Sequence, residues 1–264
     1  MEIVNNHPST PNQMKLAVAA YAKAFGLFRK QKWYWMLLVP ILLNVVLFYW
    51  GIAQVNVLTE TTFNFIESLT ADWYSAEMGS GIFNEFIRIT LWVFFKIAYF
   101  ILFAYVGGYF VILCLSPFLS IISEKTEKIY GKIETPFSLP ILLKSIFRGV
   151  LMASRNFLFQ TVATITVFFF GFIPLVGGLV APILMIVVSA YFYGFTFMDY
   201  YIERKIETVN GSVHFVRKRR AKSVFIGMPF VVVLAIPVIG PFAASFFTIL
   251  STIAASISLI DEKQ

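Results

Sequence analysis

The sequence is poor in the residues that build disulfides, metal centres and charged surfaces. It has one cysteine and two histidines, so it predicts neither a disulfide framework nor a zinc site, and we expect no metal and no cofactor. Only 13% of its 264 residues are charged, against about 25% in soluble domains. Because 59% of the residues are hydrophobic and the mean hydropathy is +0.79, the composition indicates an integral membrane protein.

Four uncharged runs predict the membrane segments, at residues 33–59, 97–123, 156–198 and 223–260. A helix needs about 20 apolar residues to cross about 30 Å of hydrocarbon. The first two runs each fit one crossing. The last two contain 43 and 38 residues, so each must form two segments.

The charges between these runs predict the orientation. Residues 54–87 contain five carboxylates and no lysine or arginine, whereas the other loops are basic. By the positive-inside rule the basic loops, and with them both termini, are cytoplasmic, and residues 54–87 lie outside. This arrangement requires that the third and fourth runs each enter the membrane and return to the same side.

Two similar motifs are predicted to turn these runs around: GFIPLVGG at 171–178 and AIPVIGP at 235–241. Proline ends a helix and glycine permits a turn, and neither motif has the polar residues of a water-exposed turn. The arm before Pro237 has 14 residues, which is about 21 Å of helix and too short to cross. We therefore predict two re-entrant hairpins, with two ordinary full-length hairpins as the alternative; the residues expected to shape the tips are Pro174, Gly177, Gly178, Pro237, Gly240 and Pro241.

The predicted fold is all-α, a polytopic membrane protein with two long transmembrane helices, two re-entrant (hemi-penetrating) hairpins and amphipathic interfacial helices. A single transmembrane domain covers residues 1–264. Its predicted parts are a disordered N-terminus (1–9), an interfacial helix (10–31), the first span (33–56), an extracytoplasmic loop (57–81), a long second helix (82–129), a second interfacial helix (137–155), the first hairpin (156–200), a basic cytoplasmic loop (201–222) and the second hairpin (223–260).

Charged residues near the second span are candidates for a pore or charge network: Glu85, Arg88, Lys96, Glu124 and Lys125. Charged groups within a membrane are costly and often functional, and rings of charge select ions in pores. A plainer interpretation exists for the charges at each end of the second span. Lys96 can extend its amine to the outer interface. Glu124 and Glu127, with the lysines that follow them, are typical of a solvated, paired helix face.

Several short motifs carry a resemblance to a known family. They are Pro40-Ile-Leu-Leu-Asn44, Ser116-Pro117-Phe118 leading to Ser123-Glu124-Lys125, Ile173-Pro174-Leu-Val-Gly177 with Ala181-Pro182, and Phe197-Met198-Asp199-Tyr200. In this order and spacing the chain resembles, over about residues 15–260, the CysZ sulfate-transporter family within the wider etoposide-induced-type membrane proteins. The resemblance implies a homo-oligomer of the bacterial inner (cytoplasmic) membrane that takes up sulfate for cysteine synthesis.

One motif of that family is missing here. CysZ proteins carry a Gly-Leu-Arg-Arg sulfate-binding motif eight residues before the first-span proline, where this chain has Lys32-Trp33-Tyr34-Trp35. An imperfect echo lies six residues earlier, and it defines the candidate anion-binding residues Gly26, Leu27, Arg29, Lys30 and Lys32. Backbone N–H groups and cations near a helix N-terminus are well suited to bind sulfate. The alternative is that these cations only flank the membrane on its cytoplasmic side.

The expected function is a membrane transporter or channel for sulfate or a related small anion, feeding sulfur assimilation and cysteine biosynthesis. A non-transporting membrane-organising or scaffold protein, or transport of a different anion, is the alternative. The sequence has no nucleophile–base–acid set, so we do not expect an enzyme. The net charge of +7 comes with no nucleic-acid-binding motif, so the expected partners are the anion, the lipid bilayer and further copies of the chain.

Overall fold

The computed structural model describes residues 9–70, 81–102, 108–131, 139–174, 177–206, 208–236 and 239–262. Within these residues the chain is helical and contains no strand, which confirms the predicted all-α class. The helices are α1 (Thr10–Lys30), a 3-10 helix η1 (Trp33–Leu37), α2 (Leu38–Thr70), α3 (Gly81–Leu102), α4 (Gly108–Tyr130), α5 (Leu139–Phe170), α6 (Gly177–Ile202), α7 (Val209–Arg217), α8 (Arg220–Leu234) and α9 (Gly240–Asp261).

The helix of the first predicted span is much longer than expected. α2 continues to Thr70, into residues for which we expected a loop from 57 to 81. Residues 57–70 contain neither proline nor glycine. No helix-breaking residue therefore stops α2 at the end of the apolar run. The predicted long helix over 82–129 is represented by α3 and α4, and the residues that would join them, 103–107, lie outside the described ones.

The boundary predicted between the second interfacial helix and the first hairpin is absent. α5 is one helix of 32 residues that passes through position 155 without a break, because no proline or turn sequence lies between Leu139 and Phe170 after its first turn. The predicted basic loop over 201–222 is also largely helical, since it contains α7 and the start of α8. The disordered N-terminus predicted for 1–9 falls, apart from Ser9, outside the described residues.

The two hairpins have matching turns. α5 and α6 are joined through the turn at 171–174, and α8 and α9 through residues that include 235, 236 and 239. Gly177 and Gly240, 63 positions apart, begin the returning helices and donate their N–H groups to Ile173 O (2.9 Å) and Ile236 O (2.8 Å). A Cβ at either glycine would lie 2.5–2.6 Å from a carbonyl oxygen of the preceding helix. Both turns therefore need glycine for the same close approach.

The remaining predicted tip residues have different surroundings. Pro174 lies in the first turn, and a Cβ at Gly178 would meet nothing within 4 Å, so Gly178 is not required for packing. Pro237 and the side chain of Pro241 lie outside the described residues.

Three helical segments in the described part of the chain are long and apolar enough to cross a membrane: Trp33–Leu69, Gly177–Ile202 and Phe242–Asp261. α8, with 15 residues, reaches only about 22 Å, less than the hydrocarbon thickness of about 30 Å. The second hairpin thus pairs a short arm with an arm of full length. Its re-entrant placement in a membrane stays a prediction.

The two hairpins pack on each other where α6 crosses α8, the most extensive helix contact in the described structure. The crossing is built from small residues, because a Cβ at Gly194 would lie 1.8 Å from Ser223 O and a Cβ at Gly227 would lie 1.9 Å from Ala190 O. Small residues at a contact between two helices let their backbones approach closely in membranes.

α9 is the central helix, in contact with α1, α2, α4, α6 and α8. Its buried hydroxyl groups connect it to those neighbours by hydrogen bonds. Asn44 of α2 donates to Ser245 Oγ at 2.9 Å, Tyr21 of α1 bonds Ser251 Oγ at 2.7 Å, and Ser123 of α4 bonds Ser256 Oγ at 2.9 Å. Polar side chains of this kind hold helices together in a bilayer.

Candidate functional site

The candidate anion-binding residues lie where α1 ends and η1 begins. Arg29 and Lys30 form the last turn of α1, Lys32 follows it, and all three side chains are exposed. We call these three residues the basic junction. Among the described residues no carboxylate lies within ion-pair distance of any of them. The junction therefore presents three uncompensated positive charges on one short segment.

The backbone turns sharply at the basic junction. Lys32 has φ 52° and ψ 41°, a left-handed conformation that costs a non-glycine residue about 1–2 kcal/mol. Its N–H group donates to Arg29 O at 3.1 Å, and Gln31 donates to Leu27 O at 2.9 Å, so the end of α1 is satisfied. By helix geometry the first N–H groups of η1 face its N-terminal end, and they have no acceptor within their own helix. The junction thus places helix-end N–H groups and three exposed cations within one short segment of the chain.

The other two candidates from the same motif contribute less. Leu27 is partly buried and packs against the core. Gly26 is exposed, and a Cβ there would meet nothing within 4 Å. Neither close packing nor a positive φ requires a glycine at this position.

Lys125 of α4 lies next to the basic junction. Its amine is 5.9 Å from the ring centroid of Trp35 in η1, and this ring also contacts Phe118 with 6.5 Å between centroids. The structure thus brings one of the predicted pore residues to the helix that begins at the junction. Glu124, its neighbour in sequence, is partly buried.

Two of the remaining predicted charges, Glu85 and Arg88, line an open cavity of about 350 Å³ between α2 and α3. Arg88 forms an exposed ion pair with Glu60 (Nη2–Oε2 3.6 Å), and its guanidinium lies 4.6 Å from the Phe63 ring centroid. Lys96 lies 4.0 Å from the ring centroid of Trp92. The residues that line the cavity are Asn56, Thr59, Glu60, Glu85, Arg88, Ile89 and Trp92. The predicted site residues therefore do not form one site, since Glu85 and Arg88 line this cavity and the residues of the basic junction do not.

A cluster of buried ion pairs is the feature that sequence reasoning missed. Glu127 was expected on a solvated face, but it is fully buried and pairs with Arg204 (Nε–Oε2 3.2 Å) and Lys205 (Nζ–Oε1 2.6 Å). Arg204 also donates to Ser123 Oγ at 2.9 Å. Both cations lie just beyond the end of α6, 77 and 78 positions from Glu127, so no local sequence pattern reports the pairing.

Arg148 belongs to the segment predicted as the second interfacial helix (137–155), and the structure buries its side chain. Its Nη2 lies 3.6 Å from Asp199 Oδ1 and donates to Ser212 Oγ at 2.6 Å, while its Nη1 donates to Ile206 O. The contact ties α5 to the end of α6 and to α7. Asp199 belongs to the Phe-Met-Asp-Tyr motif, so this motif supplies the counterion of a buried arginine.

The basic segment before α8 also turns charges inward. Arg219 Nε donates to Glu262 Oε1 at 2.6 Å, and Lys222, fully buried, donates to the other oxygen of Glu262 and to Ser258 O at 2.9 Å. Lys23 of α1 pairs with Asp261 at 2.8 Å. The C-terminal end of α9 is thereby fastened to α1 and α8.

Glu203, just beyond α6, has an unusual protonation equilibrium. Burial raises the pKa of Glu203 to about 8, and the hydrogen bond from Ser120 Oγ (2.6 Å) and the charge of Arg204 only partly oppose this. The group therefore holds its proton at pH values where an exposed glutamate is ionised.

A comparison with protein families decides the assignment of the chain. The family described as sulfate transporter CysZ/etoposide-induced protein 2.4 matches residues 20–245. The chain belongs to this family. No curated protein matched the chain. The matched CysZ/etoposide-induced region includes the basic junction, both hairpin turns and the buried pairs of Glu127 and Arg148.

The description of the CysZ/etoposide-induced family names a sulfate transporter. No group of three or more histidine, cysteine or acidic side chains among the described residues is arranged to hold a metal ion. The positive charges of the basic junction suit a small anion.

Proposed function

We propose that this chain is a membrane transporter or channel for sulfate or a related small anion, and that the basic junction binds the anion. The observation that carries the proposal is the coincidence of two facts. The matching family is described as a sulfate transporter, and Arg29, Lys30 and Lys32 lie on one short exposed segment at the start of η1, where no carboxylate of the described residues pairs with them. Cations and helix-end N–H groups together favour a doubly charged oxyanion.

The wider setting is proposed with it. The chain acts as a homo-oligomer in a bacterial inner membrane, with both termini in the cytoplasm, and delivers sulfate to cysteine biosynthesis. A cell that lacks the protein is then expected to require cysteine or thiosulfate for growth on sulfate. The absence of the Gly-Leu-Arg-Arg motif makes a scaffold role, or a different anion, the alternative.

Uptake of labelled sulfate into proteoliposomes tests the proposal. The wild type is compared with a triple variant, Arg29→Ala, Lys30→Ala and Lys32→Ala, and with a control double variant, Lys15→Ala and Lys128→Ala. Both control lysines are exposed, and among the described residues no ion pair includes them. We expect the triple variant to lose at least about 90% of the flux, since each lost charge-assisted contact weakens binding about tenfold, and the control to keep it.

Two results would contradict the proposal in different ways. Flux that survives in the triple variant moves the binding site away from the basic junction. No flux above empty liposomes, when a known transporter is active in the same preparation, removes sulfate as the substrate and leaves the scaffold role or another anion.

A further inference from the structure

A second group of cations, formed by three arginines, has no ion-pair partner among the described residues, and it lies apart from the basic junction. Arg155 of α5 is partly buried, with its guanidinium 4.7 Å from the ring centroid of Phe159 and 5.8 Å from that of Phe195. It donates to Asn156 Oδ1 at 3.1 Å. The nearest acid that acts on it, Asp199, is already paired with Arg148. An arginine held on aromatic rings without an acid is ready to receive an anion.

Arg217 and Arg220 bring two more charges to the same place. Arg217 ends α7 and Arg220 begins α8, and the Nε of Arg220 donates to Arg217 O at 3.2 Å. Both side chains are exposed. Arg219 and Lys222 in the same segment are both paired with Glu262, whereas in the described structure no ion pair includes Arg217 or Arg220. The segment thus contains two cations that are held in ion pairs and two, Arg217 and Arg220, that can bind an anion.

Tyr191 of α6 connects the arginine of α5 with the segment of the other two through a chain of contacts. Its ring lies 6.3 Å from that of Phe195, on which Arg155 stacks, and its carbonyl accepts a hydrogen bond from Ser223, one turn after Arg220, at 2.7 Å. Three like charges from α5, α7 and α8 held together in this way would be stabilised by an anion between them.

The depth of the cluster suits the boundary between hydrocarbon and headgroups. Arg155 directly precedes the uncharged run 156–198, and it lies about 22 Å of helix from the end of α5. Arg220 lies about 20 Å from the end of α8. Beyond Arg155 the α5 surface is apolar and exposed at Leu158 (63%) and Val162 (64%), as expected for a face that contacts acyl chains.

We propose that Arg155, Arg217 and Arg220, which we call the arginine rim, bind a tetrahedral oxyanion: the phosphate of an anionic phospholipid, or free sulfate. Guanidinium groups match such oxygens in pairs, and clusters of arginine at a membrane boundary recognise anionic lipids. The N-terminus of α8 adds its partial positive charge. The arginine rim does not depend on the proposed transport activity, since a lipid would occupy it in a scaffold as well.

Two binding measurements on the full-length protein in neutral detergent distinguish the two sources. One titrates phosphatidylglycerol, with phosphatidylcholine as the zwitterionic comparison, and counts bound lipid by native mass spectrometry. The other measures sulfate binding by calorimetry without lipid, in the background in which the basic junction is replaced by alanine. Each uses Arg155→Gln, the double variant Arg217→Gln and Arg220→Gln, and the control double variant Lys15→Gln and Lys128→Gln.

We expect the arginine variants to weaken binding in one arm by at least about tenfold, the effect of one lost charge-assisted contact, and the lysine control to leave it unchanged. A loss confined to phosphatidylglycerol assigns the lipid, and a loss confined to sulfate assigns the free anion. Binding unchanged in both arms, or lowered equally by the lysine control, overturns the proposal. If Arg155→Gln does not fold, the double variant decides, because both of its side chains are exposed.

Discussion

Replacing Glu127 by glutamine is expected to destabilise the protein strongly. The carboxylate is fully buried and contacts two cations, Arg204 at 3.2 Å and Lys205 at 2.6 Å, whose side chains are only 10% and 24% exposed. Glutamine has the same shape but no charge. The substitution therefore leaves two cations in a poorly solvated place without their counterion, while the packing of α4 against α6 is otherwise kept.

The size of the effect follows from the burial. Removing one partner of a buried ion pair costs about 3–5 kcal/mol. In a protein of this length, 1 kcal/mol lowers the Tm by about 2–4 °C, so we expect a loss of about 6–20 °C. Thermal unfolding of the detergent-solubilised protein, followed by the loss of the monodisperse peak in size-exclusion chromatography, measures it.

Glu60→Gln is the matched control, since it also removes a glutamate paired with an arginine. The Glu60–Arg88 pair is longer, at 3.6 Å, and its side chains are 55% and 43% exposed, so at most about 1 kcal/mol is at stake. Adding Arg204→Gln to Glu127→Gln should cost little more, because the partners act as a unit. Equal Tm losses for Glu127→Gln and Glu60→Gln, or additive losses in the double variant, would refute the reasoning.

Two further variants probe the helix crossing and the buried glutamate. Gly227→Ala should lower the Tm, because the added Cβ would lie 1.9 Å from Ala190 O and 2.7 Å from Gly194 N, and overpacking costs about 1–3 kcal/mol. The control Gly26→Ala should leave the Tm unchanged, since nothing lies within 4 Å of its added Cβ. An unchanged Tm for Gly227→Ala would contradict the close crossing of α6 and α8. Burial raises the pKa of Glu203 from 4.5 to about 8, so the folded state holds a proton that the unfolded state releases, and this contribution to stability is complete below pH 4.5 and is lost as the pH rises to 8. Glu203→Gln should therefore reduce the fall of Tm between pH 5 and 8, measured against the wild type in the same buffers, and an unchanged slope would exclude Glu203 as its source.

The fold could be predicted from the sequence because the bilayer restricts what an uncharged run can do. Runs of 27 to 43 residues without charge leave helices as the only way to satisfy the backbone in lipid, apart from closed barrels. The Ile-Pro-x-x-Gly repeat placed both turns, and the structure shows Gly177 and Gly240 in the same close contact. The helix boundaries were less predictable, as α2 and α5 show, because a helix does not end where its hydrophobicity ends.

The buried ion pairs could not be predicted, because their partners are far apart in the chain. Glu127 and Arg204 are separated by 77 positions and Arg148 and Asp199 by 51, and the local sequence around each charge suggested a solvated surface. Glu124, Lys125 and Lys128 do follow that interpretation in part, since Lys125 and Lys128 are exposed. Glu127 differs from these residues because it lies on the face of α4 that packs toward α6. Tertiary packing alone decides which face of α4 this is.

The positive charge of this protein therefore serves two purposes that the positive-inside rule does not separate. Lys23, Arg148, Arg204, Arg219 and Lys222 are paired with carboxylates, mostly in buried positions, and join helices that are distant in sequence. The basic junction and the arginine rim are exposed or only partly buried, and no carboxylate of the described structure pairs with them. Replacing a cation of the first kind by a neutral residue should lower stability and leave anion binding per folded molecule unchanged. Replacing a cation of the second kind should leave stability unchanged and weaken anion binding. Because both kinds occur within one segment, as Arg219 and Arg220 do, adjacent substitutions are expected to have opposite consequences.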